Sequence, residues 1–499
     1  MTAKGQLSLS LLKSAEFNSA VVERPSEEML RLPERAIQFG TGGLLRGFVE
    51  YFIDAANRAG TFNGRVVAVA STSSPRNNLV NDQDGLYTLV VEGMRDGQAS
   101  REFRIVSSLS RALSAATEWD EVLRLARDSN IEIVFSNTTE VGIVLDEPDE
   151  PDYPPRSFPG KLTMWLLERA RAVDFAPGNP VTVIPCELVE QNGDRLREIV
   201  MILGDRWSVG DEFQKWLDSS VVFCNTLVDR IVPGKPGNEK LAELETQLGY
   251  RDELLTVCEP YRLFAIEAKG HSRDRLAFAG ADEGVIITDD VEPFRLRKVR
   301  LLNGSHSVLA PVGLLCGLST VAESVADAEV GEYLRRVMLD EILPVCDAPD
   351  AAAFAADVLE RFSNPYLSHA LRDITLHATA KMRVRVIPTI VDYWRQERKL
   401  PDLTCFGFAA FLLFRSREET GTSKLPMDES ASLMQGARRN AGDNLGAFVE
   451  TVCCDRSLWG MDLSELPGFN DSVTAHASAI GRDGIRASLT QLIAAGKAS

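Results

Sequence analysis

Ala36-Ile37-Gln38-Phe39-Gly40-Thr41-Gly42-Gly43-Leu44-Leu45 runs from an apolar strand through a glycine turn into a helical pattern that continues to Ala59. Glycines at such a junction permit a tight turn and close backbone approach, and the helix N-terminus behind them faces an anion. A dinucleotide pyrophosphate is the ligand this arrangement suits. Phe39, Gly40, Gly42 and Gly43 are therefore the candidate cofactor loop. Arg46, one turn into the helix, is either a further phosphate contact or part of a solvated face. Leu45 stands where the usual fingerprint has its third glycine or alanine.

Outward from this turn the pattern is that of an α/β domain. Residues 65–70 read as a valine-rich second strand, 86–92 and 103–106 as an antiparallel hairpin, and 131–135, 181–185 and 284–288 as further strands. Helical periodicity at 44–59, 117–127 and 160–173 lies between several of them. Strands alternating with helices of this length predict a Rossmann-type, mostly parallel sheet covered on both faces. After residue 288 the character changes. Asp289-Asp290 and Pro293 mark a helix start. Helical periodicity then dominates, at 299–315, 328–342, 351–361, 367–379, 405–415, 441–451 and 474–494. The expected division is a lead-in at 1–33, a dinucleotide-binding domain at 34–290 and an all-helical substrate and catalytic domain at 291–499, with a ligand cleft between the two domains.

A formal net charge of −18 over 499 residues argues against a nucleic-acid partner, which calls for a basic face. It also obliges an anionic substrate to meet a local cluster of Lys or Arg. The strongest apolar run, 406–414, is far too short for a bilayer and reads as a buried helix. The first thirteen residues have no signal-peptide core. Eight scattered cysteines, of which only Cys453 and Cys454 are adjacent, form neither a CxxC pair nor a disulfide framework. These features predict a soluble cytoplasmic protein, monomeric or a small homo-oligomer, acting on a small molecule without a metal.

The densest chemistry lies in Lys298-Val-Arg-Leu-Leu-Asn303-Gly-Ser-His306. On an α-helix the roughly 100° step puts Asn303 about 140° and His306 about 80° round from Lys298, so all three can face one cleft. A proton-transfer group, a donor to a carbonyl oxygen and a substrate-orienting group are what a metal-free alcohol dehydrogenase needs. The plainer alternative is a solvated lysine beside a satisfied polar pair. Asn364-Pro365-Tyr366 precedes a polar helix with His369, Arg372, Asp373 and His377, then Lys381, Arg383 and Arg385. It is either a solvated face or a source of cations for a carboxylate or polyol, with Arg372, His377 and Lys381 as candidate substrate contacts.

Three strand ends leave alternatives open. Asn137-Thr138-Thr139-Glu140 can contact ribose or nicotinamide, or form an Asx-type turn. Asp229-Arg230, inside an apolar run, is either an ion pair or an acid lining the nicotinamide pocket. Ser71-Thr72-Ser73 ends the second strand without an acid for a ribose 2′-hydroxyl, and Arg76 follows, so NAD and NADP both stand.

Together these fragments resemble the polyol-specific long-chain dehydrogenases, the mannitol dehydrogenase family, and most finely its tagaturonate-reducing branch. The resemblance is carried by IQFGTGGLLRGF at 37–48, QDGLYT at 83–88, FSNTTEVGI at 135–143 and IPCELVEQNGDRLRE at 184–198. TLVDRIVPG at 226–234, KVRLLNGSH at 298–306, NPYLSHAL at 364–371 and Lys381 continue it in order over nearly the whole chain. It implies that Lys298 is the acid–base catalyst, Asn303 the donor to the reacting oxygen and His306 a substrate-orienting residue. It also implies that Gly40, Gly42 and Arg46 belong to the cofactor loop, that Asp229 lies beside the nicotinamide and that Lys381 serves the substrate. Members are commonly NAD-dependent and work without zinc.

The implied reaction is hydride transfer between nicotinamide and a sugar-acid ketone or secondary alcohol. A fructuronate or mannitol substrate is the near alternative, and a non-catalytic dinucleotide-binding regulator the distant one. Where mannitol dehydrogenases carry Cys-Asp-Asn-Leu, with the Asn as a second oxygen donor, this chain has Cys186-Glu187-Leu188-Val189. That leaves Asn303 and some other group to hold the oxygen. As a base Lys298 must be neutral, which calls for burial or for cationic neighbours such as Arg297 or Arg300.

Overall fold

The central strands carry apolar residues on both faces because each face meets a separate core. Six of them, β1 (Glu34–Phe39), β2 (Arg65–Ala70), β3 (Leu109–Ser114), β4 (Ile133–Ser136), β5 (Val181–Pro185) and β6 (Val221–Phe223), form one sheet in the order β3-β2-β1-β4-β5-β6. Every pairing in it is parallel. Ile37, Phe39, Val67, Val69 and Val134 face a core completed by helices Trp119–Arg127 and Phe158–Ala172. Ala36, Val66, Ala68, Ile133 and Phe135 face the other core, under helix Val49–Arg58. The doubly wound order changes direction between β1 and β4, the place where such sheets bind ligands.

This computed structural model describes residues 5–14, 17, 20–70, 75–138, 142–147, 149–178, 180–417 and 426–495. The chain divides into one unit of Met1–Glu92 with Ser100–Val291 and a second of Gly93–Ala99 with Glu292–Ser499. Two smaller sheets accompany the main one. Thr226–Asp229, Leu263–Glu267 and Val285–Thr288 make a three-stranded sheet whose first pair is antiparallel. Val22–Glu23, Gln98–Val106, Tyr87–Arg95 and Thr256–Cys258 make a four-stranded one.

The expected hairpin is longer than its apolar pattern, closing at Asp96-Gly97 with φ of 53° and 73°, the two positive values a type I′ turn requires. The segment expected as a lead-in is part of the first unit. Leu7, Phe17 and Val22 are buried, and the Leu7 N–H donates to the Arg251 carbonyl at 2.9 Å. The helix expected at 44–59 is broken at Phe48 into Gly43–Gly47 and Val49–Arg58. Packing fixes the break: a Cβ on Gly47 would lie 2.6 Å from Val232 Cγ1, and Arg230 donates to the Gly47 carbonyl at 2.8 Å.

In the second unit helix Asp402–Arg415 is the core, buried almost throughout. Its N-terminus is capped from outside: Glu341 accepts from the Leu403 and Thr404 N–H groups at 2.8 and 2.7 Å. Burial pushes that carboxyl up to about 7 despite the three hydrogen bonds it accepts. The helix expected at 474–494 turns at Gly484, φ +83°, into Phe469–Asp483 and Ile485–Ala495. That expected at 367–379 is reduced to Leu371–Ile374 and Ala378–Lys381, separated by His377 at φ +51°. Among the described residues no helix is long and apolar enough to cross a membrane.

Candidate active site

At the carboxyl edge of the sheet, Gly40 leaves β1 at φ +126°, and a Cβ there would lie 2.8 Å from the Asn137 carbonyl oxygen. Only glycine suits both conditions. Gly42 caps the short helix Gly43–Gly47, and a Cβ built on it has nothing within 4 Å. The turn is therefore tight below and open above, a cradle that fits a pyrophosphate approaching backbone N–H groups. Phe39 itself is buried, its ring 5.4 Å from Phe158, so it can serve a ligand only through its backbone.

Arg46 is neither solvated nor directed outward. It lies 6% exposed beneath the loop, donating to the Thr41 carbonyl at 2.7 Å and to Thr256 Oγ1 at 3.0 Å. Those two acceptors hold the guanidinium inward, and Glu50, one turn on and fully buried, is near enough to feel its charge. Gln38 Nε2 joins Glu50 Oε1 (2.8 Å) to the Gly40 carbonyl (3.0 Å). Burial pushes Glu50 up to about 7, against the pull of Arg46 and the Gln38 hydrogen bond.

Asn137 spends its amide on the fold, donating to the Cys186 carbonyl at 2.9 Å. Beside it the buried Glu187 carboxylate accepts from Ser136 Oγ, the Thr138 N–H and Thr138 Oγ1 at 2.9, 2.9 and 3.0 Å. Asn192 carries the link onward: its amide donates to Pro185 O, Glu187 O and Thr226 Oγ1, and its oxygen accepts from the Thr226 N–H. Thr226 opens the strand whose last residue is the buried Asp229. Arg230 turns to the carbonyls of Glu259 and Gly47 and lies 4.4 Å from the Tyr51 ring centre. Residues 71–74 and 139–141, and the side chain of Arg76, lie outside the described residues.

In the helical unit, Lys298 to Gly304 is not an α-helix but a π turn, with α-helix resuming at Ser305–Leu315. Its i→i+5 repeat places Asn303 one turn above Lys298, nearer than the α-helical angles allow. Gly304 lets this turn abut a second π segment, Met382–Val386: a Cβ on it would lie 3.2 Å from the Arg385 carbonyl. Lys298 and Asn303 are half-buried and His306 is buried. The His306 ring stacks on Phe362 at 4.0 Å and 18°, and the His369 ring stands edge-on to it at 4.9 Å.

The cationic neighbours expected at Lys298 are engaged elsewhere. Arg297 donates to the Pro349 carbonyl and lies over Phe354, while Arg300 bonds Thr389 Oγ1 and Asp392.

Lys381 ends the helix that leads into the second π segment, and its Nζ donates to the Ile374 carbonyl at 3.0 Å. Burial, with Arg385 nearby, lowers its pKa. Burial likewise lowers that of His369, with Lys381 adding to the effect and Asp373 opposing it. His377 does not join this group. Its Nδ1 pairs with Glu429 at 2.6 Å, and next to it Asp428 accepts from the Thr379 N–H and Oγ1. Arg372 is exposed. Among the described residues no set of His, Cys, Asp and Glu is placed to hold a metal.

The family model for the mannitol dehydrogenase Rossmann domain matches residues 34–280, and that for the mannitol dehydrogenase C-terminal domain matches 290–481. The chain is 39% identical over 464 residues to an altronate oxidoreductase of Bacillus subtilis, covering 92% of this chain and 95% of the relative. The chain belongs to the mannitol dehydrogenase family. Membership makes it an oxidoreductase of CH–OH groups. An altronate oxidoreductase of Yersinia enterocolitica is 37% identical over 92% of the chain and 96% of its own length. Among solved structures, the mannitol 2-dehydrogenase of Pseudomonas fluorescens superposes with a TM-score of 0.72 at 24% identity, covering 98% of this chain and 99% of that one. A D-sorbitol dehydrogenase gives 0.81 at 23%, covering 97% and 99%.

Sequence reasoning about this mannitol dehydrogenase relative missed Glu187 and Asn192 as connectors, Glu50 beneath the loop, and Phe362 and His369 around His306. Glu187 and Glu50 did carry a signal, since each is an acid in an otherwise apolar stretch. Phe362 carried none, because nothing local distinguishes it from an ordinary core residue.

Proposed function

We propose that the chain is an NAD-dependent altronate oxidoreductase, interconverting tagaturonate and altronate without a metal. The observation that carries this reading is the identity of 37–39% to altronate oxidoreductases along nearly the full length of both partners. The π turn supports it by bringing Lys298 and Asn303 onto neighbouring turns of one helix.

Gly40, Gly42 and Gly43 would hold the pyrophosphate through their backbone, and Asn137, Thr138 and Asp229 would line the nicotinamide side. When bound, NADH supplies the hydride to the ketone carbon, and NAD accepts it in reverse. Asn303 donates a hydrogen bond to the carbonyl oxygen as negative charge builds there, and Lys298 gives that oxygen its proton. In oxidation Lys298 takes the hydroxyl proton back. His306, its plane fixed by the Phe362 stack, orients a substrate hydroxyl. Lys381 meets the carboxylate of the sugar acid, the local cation that a chain of net charge −18 requires.

A panel of tagaturonate, fructuronate and fructose with NADH and NADPH, followed at the absorbance of the reduced cofactor, tests this directly. Tagaturonate with NADH should give the highest kcat/KM. Preference for fructuronate or fructose overturns the substrate, and NADH binding without turnover on any of them overturns the enzyme.

A further inference from the structure

We infer that Glu187 is a positioning residue for the nicotinamide-ribose half of the cofactor, acting through Thr138; this rests on the dinucleotide reading above. The residue is 2% exposed, and its carboxylate accepts three hydrogen bonds from β4 and the turn that follows. The strands do not need it in order to pair. β4 and β5 are joined through their backbones, and the Cys186 N–H donates to the Ser136 carbonyl at 2.8 Å. An acid withdrawn from water costs stability that an apolar side chain in its place would not. What the carboxylate fixes is the shape of the half-exposed turn at Asn137-Thr138.

That turn is clamped from three sides. Asn137 lies against Gly40, so its carbonyl sets the wall of the glycine cradle, and its amide holds Cys186. Gly142 lies so close to Thr138 that a Cβ on it would come within 2.7 Å of the Thr138 carbonyl oxygen. Glu187 closes the third side from below. The β1 end of the switch point is thus set by glycine geometry, and the β4 end by a buried carboxylate. A ligand lying across both ends meets the carboxylate's effect at Thr138, in the half beyond the phosphates.

The test is calorimetric titration of the full chain with NADH and with 5′-AMP, which carries the adenosine half alone. Glu187→Ala should raise the Kd for NADH about tenfold and leave that for 5′-AMP within about twofold. Glu187→Gln should restore most of the NADH affinity, because its oxygen still accepts from Thr138 and its amide can donate to the Ser136 hydroxyl. An unchanged NADH Kd in Glu187→Ala, an equal loss for both ligands, or no rescue by Gln each overturns the inference. If Glu187→Ala shows no melting transition, Ser136→Ala takes its place. It removes one donor from the carboxylate at a buried position, and should weaken NADH a few-fold with 5′-AMP unchanged. NADH binding equal to wild type in that variant also overturns the inference. Wild-type protein that binds neither NADH nor NADPH fails the cofactor reading itself, a result visible before any variant is made.

Discussion

The carboxyl edge of the sheet and the Lys298 turn both present polar groups from a buried frame, but they set those groups by different means. At the sheet edge, regular parallel strands and one left-handed glycine fix the backbone, and buried side chains tie neighbouring ends together. In the helical unit the backbone is irregular around the residues proposed to carry the chemistry. Two π segments meet at Gly304, and an aromatic stack holds His306. The first arrangement suits a ligand gripped by backbone, which is a matter of affinity. The second places individual side chains, which is a matter of rate. Substitutions in the two regions should therefore separate in Kd and kcat.

The largest separation is expected at Lys298. Lys298→Ala should lower kcat by two or more orders of magnitude with the NADH Kd nearly unchanged. Near-normal turnover would remove Lys298 from proton transfer and dissolve the contrast.

Lys381→Met should act on KM for tagaturonate, by about 10- to 150-fold if a charge-assisted contact of about 1.5–3 kcal/mol is lost. Because burial lowers the pKa of Lys381, its cation is present at low pH and is lost as pH rises, earlier than for an ordinary lysine. Wild-type KM for tagaturonate should climb accordingly on the alkaline side, and that climb should be absent in Lys381→Met. A collapse of kcat at constant KM would instead make Lys381 the proton carrier.

Gly40→Ala is the counterpart at the sheet edge. Strain at φ +126° and the 2.8 Å approach to Asn137 O should cost about 1–3 kcal/mol, which corresponds to a rise of about 5- to 150-fold in the NADH Kd. At saturating NADH, kcat should be close to wild type.

Glu50→Gln sharpens the comparison through stability. The folded Glu50 carboxyl titrates at about 7 against a usual 4.5. Its contribution is thus fully present below about pH 4.5 and is lost as pH rises towards 7. The amide, neutral throughout, should melt with wild type at pH 4.5 and above it at pH 8, by on the order of 2–3 kcal/mol. Equal melting at both pH values would mean that Glu50 stays ionised beside Arg46. The smallest effect expected is none: EDTA should leave activity unchanged, and loss restored by a divalent metal would overturn the metal-free reading.

Local rules written in the sequence account for the broad plan of the molecule. Strands with apolar residues on both faces declare a parallel sheet, and glycines at 40, 42 and 43 declare a turn at its edge. Continuous helical periodicity after residue 288 declares a helical second half, and the ordered fragments declare the family. Tertiary structure alone decided where groups separated by tens or hundreds of residues meet. Packing of Gly47 on Val232 broke an evenly patterned helix, and Thr256, some 210 residues away, helps hold Arg46 inward. A change from i→i+4 to i→i+5 at Lys298 leaves the apolar pattern almost untouched, so periodicity could not reveal it. Glu187 finds its donors about 50 residues back, and His306 its aromatic partner about 55 residues on. Such contacts are set by how whole elements pack, and no local pattern of residues encodes them.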